Sequence, residues 1–187
     1  MLENYKKHVA ERAEQNIPPL PLDADQTSEL IELLKKDHQE SDFLLDLLKE
    51  RVPAGVDQAA YVKAAFLADI TTGKASSPYI TKIDAVKILG TMLGGYNIQP
   101  LIECLKDNEL AEAAAHVLSR TLLIFDAFNE IFELSKTNEH AKKVVEEWAN
   151  ATWFTEKTDI EEQIKLTVYK VTGEINTDDL SPAPDAW

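Results

Sequence analysis

Residues 97–122 read NIQPLIECLKDNELAEAAAHVLSRTL. Pro100 suits the opening turn of a helix, where a backbone N–H has no intrahelical acceptor to lose. Leu101, Ile102 and Leu105 then form an apolar stripe at helical spacing, and Asp107 falls in a turn. Ala113, Ala114 and Ala115, followed by Leu118, give the next helix a small-residue face. Two short helices joined by so short a turn must run nearly antiparallel, and the alanines let the second approach the first closely.

The same grammar extends outward. Upstream, a helix is predicted from Leu2 to Gln15, ended by the prolines of IPPLPL. Asp23 and Gln26 have capping-box spacing before Leu30, Ile31, Leu33 and Leu34. Ser41 or Asp42 is the expected cap of SDFLLDLLKERV, with Phe43, Leu44, Leu47 and Leu48 facing inward. PAGV breaks the chain, DQAAYVKAAFLADITTG ends on Gly73 as a C-terminal cap, and Thr81 with Asp84 opens TKIDAVKILGTML. Downstream, AFNEIFELSK and EHAKKVVEEWANATWF complete a helical series to about residue 150. Short helix pairs in succession predict an α-solenoid or an irregular bundle. The order of elements in 97–122 resembles a HEAT repeat, and the other pairs match it more loosely. The expected fold is therefore mainly α, a HEAT-like array of antiparallel helix pairs.

Near Thr158 the period changes. EEQIKLTVYKVTGE alternates Ile164, Leu166, Val168 and Val171 with polar residues, which predicts a half-buried strand. We place a boundary in TWFTEKTDIEE, with a helical domain at 1–157 and the beginning of a second, β-containing domain at 158–187. Thirty residues are too few for a sheet with its own core, so this second domain is expected to be incomplete.

Composition narrows the function classes. The chain has 187 residues, 19 Lys+Arg against 33 Asp+Glu, and a net charge of −14. Such a surface repels a phosphate backbone at long range. The single cysteine, Cys104, excludes an internal disulfide framework and fits a reducing, cytoplasmic setting. No apolar run reaches membrane-spanning length, so no membrane partner is expected.

Residue chemistry supplies no complete catalytic set. His8, His38, His116 and His140 show no metal-ligand spacing, and His116 reads as a packing or rim residue. Cys104 reads as a small buried residue, and alone it cannot hold an iron–sulfur cluster. Gly90, Gly94 and Gly95 of LGTMLGGYN follow a helix rather than a strand, so they read as a helix end and tight turn, not a phosphate cradle. No metal site is expected. Trp148, Trp153 and Phe154 cluster at the boundary and are expected to pack the last helix against the next domain.

The closing stretch VTGEINTDDLSPAPDAW resembles the start of the swivel domain of the bacterial aconitase B family. YKKHVAERA, PLDADQ, FLLDLLKERVPAGVDQAAYVKAAFL, LGTMLGGYNIQPLI and WFTEK resemble the same family, so the likeness covers essentially the whole chain. The resemblance implies a bifunctional lyase of the tricarboxylic acid cycle. Such an enzyme interconverts citrate and isocitrate through cis-aconitate and hydrates 2-methyl-cis-aconitate. It further implies a HEAT-like domain, a swivel domain, and three later domains around a [4Fe–4S] cluster whose cysteines are not in this chain.

The wider aconitase pattern T-D-x-x-S-P-A is matched by Thr177, Asp178, Ser181, Pro182 and Ala183. By resemblance Asp178 lines the active site, with Thr177 and Ser181 shaping its loop. This chain alone is expected to be non-catalytic and to hold no cofactor. Its expected partners are the remaining aconitase domains and further copies of itself, with a share in a tunnel to the active site. The family has also been linked to mRNA binding. Lys6, Lys7, Arg12, Lys142 and Lys143 are the basic candidates for that contact, against an alternative role as solvated helix faces. A free-standing helical scaffold and an RNA-binding regulator are the competing readings.

Overall fold

A computed structural model describes residues 1–121, 127–156, 163–168 and 173. Ten α-helices occur among them: α1 (Leu2–Glu14), α2 (Ala24–Leu34), α3 (Ser41–Asp46), α4 (Gln58–Thr72), α5 (Lys82–Leu89), α6 (Ile98–Cys104), α7 (Ala111–Leu118), α8 (Phe128–Leu134), α9 (Glu139–Ala149) and α10 (Thr152–Thr155). A π-helical turn, Leu47–Arg51, continues α3. The mainly helical fold expected from the sequence is what forms.

Local chemistry explains the helix starts. Asp23 accepts from the Gln26 amide at 2.8 Å while the Gln26 side chain accepts from the Asp23 amide at 3.1 Å. Thr81 and Asp84 close the same reciprocal box on α5. Asp57 caps α4 through Ala59 and Ala60, and α4 ends on Gly73 in the left-handed region. The start of α3 differs from expectation. Glu40 is its N-cap without a side-chain bond, and Ser41 already lies inside the helix. Pro100 stands inside the first turn of α6 rather than at its opening.

The core is a row. Helix α4 packs against α2 and α5, α5 against α7, and α7 against α9. Helix α6 sits against α5 and α7, and α8 and α10 sit against α9. Close approach is built from small residues: Ala59, Ala60 and Ala64 of α4 and Ala111, Ala114 and Ala115 of α7 are all buried. Gly90 lies where α7 crosses. A Cβ there would stand 2.6 Å from a Val117 methyl carbon. Gly90 is right-handed, with φ −65°, so its role is space rather than a left-handed cap.

The prolines of IPPLPL do more than stop α1. The Tyr5 hydroxyl donates to the Leu20 carbonyl at 3.0 Å, and Arg51 Nε donates to the Tyr5 oxygen at 3.2 Å. The other arm of Arg51 donates to the Pro19 carbonyl, and its own backbone carbonyl accepts from Leu22 at 2.8 Å. One arginine at the end of the π-turn thus ties the segment to α1.

The strand expected at 164–171 does not form among the described residues. Residues 163–168 have no regular structure, and Ile164, Leu166 and Val168 are exposed. A strand gains ladder hydrogen bonds only from a neighbour, and none of the described residues supplies one. Positions 169–171 lie outside the described residues, as do Thr177, Asp178 and Ser181.

The turn after α5 is braced. A Cβ on Gly94 would stand 1.9 Å from the Gly55 carbonyl oxygen, whereas Gly95, at φ +91°, faces open space. Gly94→Ala is expected to cost about 3 kcal/mol by overpacking. Gly95→Ala should cost about 1 kcal/mol of backbone strain. Urea midpoints of the two variants check the order.

Candidate functional site

A groove of about 680 Å³ lies between the π-turn and α5 and presents Lys49, Glu50, Tyr79, Asp84 and Lys87. Two of its polar groups, Asp84 and Tyr79, serve the fold. Asp84 is held below the usual carboxylate range, chiefly by the Thr81 hydroxyl that completes the capping box. The Tyr79 hydroxyl donates to the His38 carbonyl at 3.2 Å. No nucleophile stands beside a base, so the groove can bind but has no group poised for covalent chemistry.

The histidines likewise serve the fold. His8 Nε2 accepts from the Leu20 amide at 3.0 Å, and His38 Nδ1 accepts from the Glu40 amide at 3.1 Å. His116 is exposed on the rim of α7. His140 lies 3.5 Å from Glu112. Cys104 is buried, and burial pushes its thiol up from the ordinary value, which makes it a poor nucleophile. Among the described residues no cluster of three His, Cys, Asp or Glu side chains could hold a metal ion. Among the same residues no helix is long and apolar enough to cross a membrane.

The five basic candidates are each engaged. Lys6 pairs with Glu40 and Glu3, Lys7 with Glu11 at 3.6 Å, Lys142 with Glu146 at 3.6 Å and Lys143 with Glu112 at 2.6 Å. Arg12 Nε donates to the Pro18 carbonyl at 2.8 Å. They fall on α1 and α9. A phosphate would have to displace a carboxylate at four of the five positions.

The aromatic boundary divides in two. Trp148 is half-buried within the helical array: its Nε1 donates to the Leu118 carbonyl at 3.0 Å and its ring stacks on Phe128 at 5.9 Å. It braces α9 against α7 from within the array. Phe128, Phe132, Trp153 and Phe154 are exposed.

Lys63 was not singled out from the sequence. It is buried on α4, and its ammonium donates to the Lys49 carbonyl across a long 3.5 Å. Helical period would have found it, because Lys63 lies three residues after Ala60 and four before Leu67, both fully buried. Burial pulls its pKa down from 10.5 to about 8, partly offset by Glu50. Arg51 and Asn97 also escaped notice, since nothing in their spacing marks them.

These features define an array of short helices held together by caps, small residues and side-chain bonds to backbone carbonyls. The chain belongs to the family of aconitate B N-terminal domains, whose model matches residues 4–154. It is 58% identical over 189 aligned residues to aconitate hydratase B of Escherichia coli, 56% to that of Synechocystis sp. and 49%, over 188, to that of Helicobacter pylori. Each comparison covers all of this chain but 22% of the relative, so the chain spans about a fifth of the length of these proteins.

Two outcomes follow from the charges. Between pH 8 and 10.5 the unfolded chain keeps the Lys63 proton and the folded chain has released it, so stability contributed by this site rises with pH across that window. Protonated Lys63 costs about 3 kcal/mol at neutral pH. Lys63→Met is expected to raise the urea midpoint at pH 7, with its advantage shrinking as pH climbs above 8. Filter binding at low salt is expected to retain no RNA on this chain, and retention that falls steeply with added salt would reverse that expectation.

Proposed function

We propose that this chain is the N-terminal packing and association module of an aconitase B that interconverts citrate and isocitrate through cis-aconitate and hydrates 2-methyl-cis-aconitate. In this reading residues 1–157 form a HEAT-like domain and 158–187 begin a swivel domain. The [4Fe–4S] cluster and most substrate ligands belong to the later part of the protein. Asp178, with Thr177 and Ser181, would join the active site only when those later domains are present. The module itself makes protein contacts, to the later domains and to further copies of the protein, and shapes a tunnel toward the site.

One observation carries the reading: the whole chain aligns with relatives nearly five times its length, while its described residues present no catalytic set. The exposed aromatic groups support it. Phe128 and Phe132 stack at 6.2 Å, and Trp153 meets Phe154 at 5.6 Å, just before the proposed boundary. Exposed aromatics are what interface cores are enriched in.

An antibody raised to this chain is expected to detect a native protein several-fold heavier than 20.9 kDa. The purified 187-residue chain is expected to produce no cis-aconitate absorbance from citrate, whereas the full protein does. A native band at 20.9 kDa, or turnover by the chain alone, would overturn the reading.

A further inference from the structure

The sequence from Ile88 to Ile98, ILGTMLGGYNI, carries no charge, and neither does VPAGV at 52–56, in a protein that is 28% charged. The structure brings these two stretches together. The Leu93 amide donates to the Ala54 carbonyl at 2.7 Å, and the Tyr96 hydroxyl donates to the Val56 carbonyl at 2.9 Å. Gly94 lies against Gly55, and the Tyr96 ring meets Tyr61 edge-on at 5.4 Å. On this braced platform Leu93 is 81% exposed, with Val56 and Tyr61 about half exposed beside it. Depletion of charge around apolar and tyrosine side chains marks the core of an interface, and a loop already fixed loses little freedom on docking.

Behind Leu93 lies a cavity of about 320 Å³, bounded by Gly95, Asn97, Ile98, Arg120 and Thr121. Asn97 is fully buried. Both protons of its amide are used, on the Leu89 carbonyl at 2.9 Å and the Met92 carbonyl at 3.0 Å, which fixes the orientation of the group. Its Oδ1 has no partner, the single such buried side-chain atom among the described residues. Arg120, which also lines the cavity, is held by Glu147 and Glu156.

We propose that this uncharged platform seats a later segment of the same polypeptide, which lays an apolar side chain on Leu93 between Val56 and Tyr61. The inference rests on the reading that the chain is part of a longer aconitase B. The relatives devote 22% of their length to this region, so most of the protein available to cover the platform is tethered to it. Tethering raises its effective concentration above that of a second copy.

The test uses the full-length protein with a benzophenone amino acid at position 93, irradiated and mapped by mass spectrometry. A cross-link to a peptide beyond residue 187 of the same molecule is expected. A cross-link to a second copy, one confined to residues 1–187, or none at all would overturn the proposal. Leu93→Asp in the full-length protein provides a second readout. The exposed site should leave the helical array folded, while amides of 89–98 exchange roughly tenfold faster once the cover is lost. Unchanged exchange would also overturn it. A native mass of 20.9 kDa would remove the parent reading and this one together, whereas a longer protein with a cross-link elsewhere would remove this one alone.

Discussion

Helix α4 must bury two flanks at once, against α2 on one side and α5 on the other, and the row depends on that double burial. Its composition makes this possible. Alanines 59, 60 and 64 reduce the spacing between axes, while Phe66, Leu67 and Ile70 supply apolar area. The same constraint traps Lys63, whose position on the helix leaves its ammonium no route to water. The π-turn at Leu47–Arg51 answers part of that cost. Its last carbonyls are free of helical donors, and one of them receives the lysine. The turn also delivers Arg51 to Tyr5 and the proline segment. A single irregular turn therefore serves both the centre of the row and its N-terminal end.

What was legible in the sequence was chemistry that acts over three or four residues. The Asp23–Gln26 and Thr81–Asp84 boxes and the Gly73 cap form as their spacing requires, because each depends on groups within one helical turn. What was illegible depended on distant neighbours. The π-turn has no signature in LLKER. Gly90 could be read as a cap, yet its need for space comes from Val117, twenty-seven residues on. Trp148 sits close to the boundary in sequence but bonds to Leu118, a partner thirty residues earlier that no local spacing reveals. The apolar alternation at Ile164, Leu166 and Val168 was real, but a strand is a relation between two segments. The proposed active-site loop at Thr177–Ser181 lies outside the described residues, and its reading rests on resemblance.

The titratable side chains of the described residues mostly serve the fold. His8 and His38 accept backbone protons, Cys104 is buried, and Lys6, Lys7, Lys142 and Lys143 are paired with neighbouring carboxylates. The groups left exposed are of another kind: aromatic side chains on α8 and α10, and the leucine held forward by two glycine-rich loops. The first set lies near the proposed domain boundary, and the second is built from loops far earlier in the sequence. Two such surfaces would let a following body be held at more than its point of attachment.

The row has a consequence for synthesis. Each main helix finds its packing partner within the next one or two elements, as α2 does in α4, α4 in α5, α5 in α7 and α7 in α9. Contacts this local need little loop closure and can consolidate in the order in which the chain leaves the ribosome. The helical array can therefore complete its own packing, helix by helix, in the order of synthesis.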